Sequence, residues 1–187
     1  AERMLLLISE AIGLGGAIVG SASAGRAADH ALQAGHVIVD PRGPQCVCGA
    51  RGCLELYADG RAFGAALGRN RAVTVDELPD TRQPGGWGEG PADLNQVVGP
   101  FATGLVSLVN VLGPDQVVLA GHLATLPERA GAEWRAALGE SVVASAQDVR
   151  IHSARFDDGV MRGAALDAFD ALLTDPTSIV DGALEGA

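Results

Sequence analysis

The residues best suited to chemistry lie between positions 36 and 55, in the segment HVIVDPRGPQCVCGARGCLE. This segment contains all three cysteines of the 187-residue chain, and one histidine precedes them in an H-x9-C-x-C-x4-C arrangement. Three thiolates and one imidazole are a ligand set typical of a closed tetrahedral zinc site. The types and spacing therefore predict a structural zinc ion, bound by His36, Cys46, Cys48 and Cys53.

Two other interpretations of the cysteines are weaker. Buried thiols without a shared role would need a periodic apolar face, but these three fall within a segment rich in glycine and proline. A disulfide framework fits poorly, because the number of cysteines is odd and a bridge between Cys46 and Cys48 would be strained. A single histidine beside a loop is more often a hydrogen-bonded polar residue, but here it completes four ligands. Four protein ligands leave no position for a reactive water, so we expect a structural role.

Composition and charge exclude several classes of function. The formal net charge of −10 and the pI near 4.7 repel phosphate backbones, so any contact with DNA would need a segment outside this chain. Apolar residues make up 48% of the chain, which is ample for a packed core. Their longest runs fall short of the roughly 18 residues that a membrane span requires. Cysteines that form a metal site rather than disulfides suggest that the protein works in the reducing cytoplasm.

Hydrophobic patterning places the metal loop within a layered α/β lobe. Strands are predicted at 5–8, 17–19, 37–39, 116–120 and 149–151, and helices at 54–67, 93–112, 126–138 and after 159. Strands followed by alternating helices and strands indicate one α/β lobe over residues 1–175. The Pro/Gly-rich stretch 79–92 predicts a flexible surface loop, and the tail 176–187 is expected to be loosely ordered.

The cysteine segment resembles a motif of the ROK family, which comprises repressors, open-reading-frame proteins and sugar kinases. Family members carry G-E-[IL]-G-H followed by C-x-C-G-x-x-G-C-L-E. Residues 46–55, CVCGARGCLE, match the second part fully, and residues 32–36, LQAGH, correspond to the first. The spacing from the histidine to the cysteines also matches. The chain is thus similar to the C-terminal lobe of that family over residues 5–174.

The resemblance implies an actin-like, ribonuclease-H-type ATPase fold, in which two lobes enclose a sugar and, in the kinases, ATP. It implies that His36 binds zinc through one ring nitrogen and faces sugar hydroxyls with the other. Glu55 and Gln33 would contact the same sugar, although Glu55 could also be a solvated glutamate at a helix start. The family's phosphate-binding turns correspond to Gly13 and Gly15 in the first turn and to Gly121 in the second, which is retained only in part. Gly13 and Gly15 could equally form a tight hairpin turn without a ligand.

Three departures from the family pattern favour a member without kinase activity. The catalytic aspartate of the kinases belongs to an Asn-Asp pair upstream of the strand matching 5–8, so no catalytic residue is assigned in this chain. Ile12 replaces the threonine whose hydroxyl contacts phosphate in the kinases, which leaves ATP binding open. Gln33 replaces a glutamate, so the contact with the sugar loses its charge.

We therefore expect the C-terminal part of a transcriptional regulator that binds a sugar or sugar phosphate and forms a homodimer. The N-terminal lobe and any DNA-binding domain are expected to lie outside this chain. One alternative is a fragment of an ATP-dependent sugar kinase. A second alternative is a zinc-stabilised dimerisation lobe that binds no small ligand.

Overall fold

A computed structural model describes residues 2–20, 30–78, 94–141 and 148–154, with five further residues between 162 and 169. These residues contain a five-stranded sheet with the order β3-β2-β1-β4-β5. The strands are β1 (Arg3–Ser9), β2 (Leu14–Gly20), β3 (His30–Leu32), β4 (Gln116–Gly121) and β5 (Arg150–Ser153). The sheet is mixed, because β1 pairs antiparallel with β2 and parallel with β4.

The apolar run at the start of the chain forms the central strand of this sheet. Leu5 and Leu7 of β1 are fully buried, and the residues between and after them are partly buried, so both faces of the strand are apolar. Their partners on β4, Val117 and Leu119, are also fully buried. A continuous apolar run is expected where neighbouring elements cover a strand on both faces. The strand predicted at 5–8 is confirmed.

Four α-helices accompany the sheet among the described residues up to position 154. They are α1 (Glu55–Ala58), α2 (Gly60–Ala66), α3 (Asn95–Leu112) and α4 (Pro127–Gly139). The longest, α3, packs against the other three. It ends at Gly113, whose φ of +56° is left-handed, a conformation that glycine adopts without a side-chain penalty.

On length and composition alone, α3 is long and apolar enough to cross a membrane. The position of α3 in the fold gives another reason for its apolar composition. Phe101, Leu105 and Val109 are fully buried in the core, and the Phe101 ring lies 5.3 Å from that of the buried Trp134 on α4. A helix that is apolar on most sides is expected where other helices surround it. Core packing thus accounts for the composition of α3.

Two predicted elements near the metal loop were wrong. The pattern at 54–67 predicted one helix, but the extended backbone of Asp59 (φ −96°, ψ 178°) divides this stretch into α1 and α2. The strand predicted at 37–39 is only an isolated bridge between Ile38 and Cys53, preceded by a 3-10 helix at Ala34–His36. The backbone of this stretch bonds to the end of the metal loop instead, since Val39 N donates to Gly52 O at 2.9 Å and Leu54 N donates to Val37 O at 2.8 Å. The strands predicted at 116–120 and 149–151 are confirmed, with bounds that differ by one or two residues.

The chain divides into two compact units, Ala1–Ala154 and Arg155–Ala187. The elements above belong to the first unit. In the second unit the described residues are helical, which agrees with the helix predicted after 159; they are Arg162, Gly163, Ala165, Leu166 and Phe169. The predicted loop at 79–92 and the predicted tail at 176–187 lie outside the described residues.

Candidate metal centre and ligand site

Backbone hydrogen bonds fold the metal loop, residues 36–55, onto itself. Cys46 N donates to Ala50 O at 2.8 Å, and Gly52 N donates to Pro44 O at 2.9 Å. Gly52 has a φ of +66°, and a Cβ there would lie 1.6 Å from Asp40 O, so only glycine fits. These contacts turn the chain twice within a few residues. They bring the side chains at 46, 48 and 53 to one side of the loop.

The four ligands predicted from the sequence converge. The donor atoms of His36, Cys46, Cys48 and Cys53 all lie within 4.8 Å of one another. His36 Nδ1 is 3.8 Å from Cys46 Sγ, and the Sγ atoms of Cys48 and Cys53 are 3.5 Å apart. In a tetrahedron with Zn–S bonds of about 2.3 Å, neighbouring sulfurs are roughly 3.8 Å apart. The donor types and separations therefore fit a zinc ion.

The thiols differ in exposure and in proton affinity. Cys46 and Cys53 are buried, whereas Cys48 is exposed. Burial, followed by a hydrogen bond with the Cys48 thiol, raises the pKa of Cys53 to about 12. The backbone amide of Ala50, followed by the two neighbouring thiols, lowers the pKa of Cys48. A buried thiol such as Cys53 ionises at neutral pH only beside a cation, and a zinc ion would supply that charge.

Glu55 adjoins the metal ligands. It is the first residue of α1, only 7% exposed, and its Oε1 accepts a hydrogen bond from Cys46 Sγ at 3.1 Å. The same oxygen lies 3.8 Å from His36 Nδ1. The interpretation of Glu55 as a solvated glutamate at a helix start is therefore wrong. His36 is partly exposed, so a buried carboxylate and an accessible imidazole lie side by side.

The three glycines predicted to bind a cofactor lie at the end of the sheet where β1 and β4 finish and β2 begins. Gly13 ends the turn that connects β1 and β2, residues 10–13, which we call the β1–β2 turn. Its φ is +98°, and its amide donates to Asp59 Oδ2 at 3.3 Å. Gly15 lies within β2, opposite Ile8. Gly121 ends β4 opposite Ser9, and a Cβ at Gly121 would lie 1.9 Å from Ser9 O.

Gln33 occupies a different position from the other two predicted sugar contacts. It is exposed and precedes the 3-10 helix that ends at His36, whose amide donates to Gln33 O at 3.0 Å. Gln33 lines an apolar groove of about 270 Å³ between β3 and the end of α3. The other residues that line this groove are Leu32, Ala34, Val37, Ser107, Leu108, Val111 and Leu112. Whether Gln33 contacts a ligand stays a prediction.

Two buried polar residues near this end of the sheet were not identified from the sequence as candidate site residues. Asp59 is fully buried and accepts hydrogen bonds from Arg61 N and Ala62 N at the start of α2. His122 is also fully buried, with its ring nitrogens 2.9 Å from Ser9 O and 2.8 Å from Val73 O. The Asp-Gly pair at 59–60 was the available signal for Asp59, because aspartate is a preferred helix N-cap. His122 lacks a comparable signal in the sequence.

Comparison with known proteins assigns the family. The model of the ROK family matches residues 2–169, and the chain belongs to that family. A curated relative, the N-acetylmannosamine kinase of Yersinia pestis (strain Pestoides F), is 34% identical over 90 residues. That match covers 48% of this chain and 31% of the kinase, so the chain spans about a third of the curated relatives it matches.

Solved structures of similar fold include a kinase and a regulator. The ROK hexokinase of Thermus thermophilus is 28% identical with a TM-score of 0.59, covering 89% of this chain and 57% of that enzyme. A ROK-family transcriptional regulator, described as a homologue of the E. coli MLC protein, is 22% identical with a TM-score of 0.62. That match covers 83% of this chain and 42% of the regulator. The family and these neighbours assign the mixed sheet to the actin-like ATPase fold.

Proposed function

We propose that the chain is the sugar-sensing part of a ROK-family transcriptional regulator and that a structural zinc ion supports its ligand site. The observation that supports the proposal is the cluster of four side chains that could hold a metal ion, directly beside Glu55. The regulator would be cytoplasmic and homodimeric, and would contact DNA through a segment outside this chain.

Zinc would act on the ligand site by fixing His36. Nδ1 is the ring nitrogen that lies nearest to the Cys46 sulfur, so metal binding through Nδ1 leaves Nε2 as a hydrogen-bonding group of defined orientation. Glu55 is held next to the same ring and would accept hydrogen bonds from sugar hydroxyls. The two groups together offer a donor and a charged acceptor, which suits a vicinal pair of hydroxyls.

The β1–β2 turn supports a sensor rather than a kinase. Ile12 is 73% exposed and presents a branched apolar side chain where the family kinases place a phosphate-binding hydroxyl. The adjacent Gly13 amide already donates to Asp59, so it is engaged within the protein. Both features reduce the number of donors that the turn offers to a nucleotide phosphate.

A sugar kinase is the second candidate. The curated N-acetylmannosamine kinase and the Thermus hexokinase are both more similar in sequence to this chain than the regulator is. In that case Gly13, Gly15 and Gly121 would approach ATP, and the chain would phosphorylate a hexose together with residues that lie outside it. A zinc-stabilised dimerisation lobe without a small ligand is the third candidate.

Ligand titration separates the sugar-binding candidates from the third. We expect N-acetylmannosamine or glucose to bind the wild-type protein, measured by isothermal titration calorimetry. His36→Ala should lose both zinc and sugar, because one side chain serves both. Glu55→Gln keeps the shape of the side chain and should retain zinc while weakening sugar binding about tenfold or more, as expected when a charge-assisted hydrogen bond is lost.

The matched control is Glu77→Gln, because Glu77 is a partly exposed carboxylate that pairs with arginines away from the metal loop. It should leave both zinc and sugar binding unchanged. Release of zinc by Glu55→Gln would contradict the assigned roles. Regulator and kinase are then separated with the complete protein. Sugar-dependent DNA binding without ATP turnover supports the regulator, whereas sugar-dependent ATP hydrolysis or phosphorylation supports the kinase.

A further inference from the structure

The buried residue Asp59 joins three segments near the proposed ligand site, two through its carboxylate and one through its backbone amide. Its Oδ1 caps α2 by accepting from the backbone amides of Arg61 at 2.9 Å and Ala62 at 3.2 Å. Its Oδ2 accepts from the Gly13 amide at 3.3 Å and from the Arg61 guanidinium, with Nη2 at 2.6 Å. Asp59 N in turn donates to Glu55 O at 3.0 Å, so the same residue is bonded to the helix that carries Glu55.

Residues 10–12 of the β1–β2 turn are exposed to solvent, but the backbone of the turn packs closely against the start of α2. A Cβ on Gly60 would lie 2.7 Å from Ala11 O, and Gly60 N donates to Glu10 O at 3.3 Å. On the other side, a Cβ on Gly35 would lie 2.3 Å from Leu14 O and 3.2 Å from the Cβ of Glu55. Movement of the turn toward α2 therefore displaces the start of that helix, and movement of the adjoining Leu14 displaces the 3-10 helix that ends at His36.

We propose that Asp59 is a positioning residue, whose carboxylate fixes the β1–β2 turn against the segment that carries Glu55 and so sets the geometry of the sugar site. The effect on sugar binding rests on the proposed function, whereas the fixing of the turn does not. Arg61 supports this role because its pairing with Asp59 compensates a carboxylate that is fully buried.

The number of acceptors explains why a carboxylate is needed. Five donor contacts converge on the two oxygens of Asp59. Asparagine has the same shape but only one oxygen, and its NH₂ group would face donors. Serine is a good helix N-cap, but its hydroxyl is shorter and cannot also reach Gly13. Asp59→Asn and Asp59→Ser therefore both release the turn, and Asp59→Ser keeps the cap of α2.

Amide hydrogen exchange and sugar titration test the proposal on the zinc-loaded protein. In Asp59→Asn and Asp59→Ser, the Gly13 amide should exchange about tenfold or more faster, because it loses its acceptor. Zinc content should stay at the wild-type value. The affinity for glucose or N-acetylmannosamine should fall about tenfold, equivalent to about 1.4 kcal/mol. Glu77→Gln also removes a capping carboxylate that pairs with arginine, and it should change neither Gly13 exchange nor sugar affinity.

Unchanged exchange at Gly13 in both Asp59 variants overturns the proposal. Equal losses of sugar affinity in Glu77→Gln and in the Asp59 variants, at similar melting temperatures, also overturn it, since general destabilisation would then account for the effect. If wild-type protein binds neither sugar, the proposed function fails, and Gly13 exchange still decides whether Asp59 holds the turn.

Discussion

Removal of zinc through Cys48→Ser gives the most direct test of the metal centre. Cys48 is the exposed member of the four ligands, so the substitution creates no cavity in the core. Serine has nearly the same shape as cysteine but is a poor zinc ligand. Any loss of stability can therefore be attributed to the metal.

The magnitude follows from the loop that the ion closes. Zinc would link His36 to Cys53, which closes a loop of about 18 residues, and by the chain-entropy estimate such a cross-link stabilises a protein by about 3 kcal/mol. For a chain of this size, 1 kcal/mol shifts the melting temperature by roughly 2–4 °C. We therefore expect Cys48→Ser to lower it by about 6–12 °C.

Differential scanning calorimetry measures the melting temperature, and elemental analysis measures the zinc content. Wild-type protein should contain one zinc per chain, and Cys48→Ser should contain much less. Val47→Ala is the matched control, because Val47 lies between two ligands and is 91% exposed. It should keep both the zinc and the melting temperature. A freshly purified wild-type protein with far less than one zinc per chain would refute the reasoning, as would Cys48→Ser with full zinc.

Two further predictions concern packing and pH. Gly104→Ala should lower the free energy of unfolding by about 1–3 kcal/mol in urea, because a Cβ there would lie 2.7 Å from Leu54 Cδ2. Leu54→Ala is itself destabilising, but in its background Gly104→Ala should cost less than it does in the wild type, and strictly additive losses would disprove the contact. Hydrogen bonds from Arg71 and then from the Thr74 amide lower the pKa of Glu77 from 4.5 to about 2. The ionised Glu77 carboxylate therefore stabilises the folded protein fully above pH 4.5, and this stabilisation is lost as the pH falls toward 2. The stability difference between wild type and Glu77→Gln should shrink over that range, and a constant difference would contradict the ion pair.

The convergence of the four candidate metal ligands could be predicted from the sequence because the pattern that indicates it is local. The four candidate ligands lie within 18 positions, and their types alone indicate a metal site. The central strand was equally accessible, because an apolar run such as 5–8 needs no information about its partners. These features depend on near neighbours in the chain.

Features that depend on distant neighbours were not predictable in the same way. The helical periodicity of 54–67 predicted one continuous helix, but the chain has a break at Asp59. This break is stabilised by the Gly13 amide, 46 positions earlier in the chain. Val37, Ile38 and Val39 have high strand propensity, but the adjoining metal loop imposes a different path on them. In both cases tertiary contacts override a local preference.

The strand order also constrains how the protein emerges from the ribosome. Residues of β1 can pair with β2 soon after synthesis, since Ser9 and Leu14 are only five positions apart. The other side of β1 must wait for β4, because Met4 pairs with Gln116. An apolar strand edge thus stays open during the translation of more than half of the chain, and such edges are prone to aggregation. The metal loop is completed within that interval, so early capture of zinc would give the nascent chain an ordered nucleus before its sheet can close.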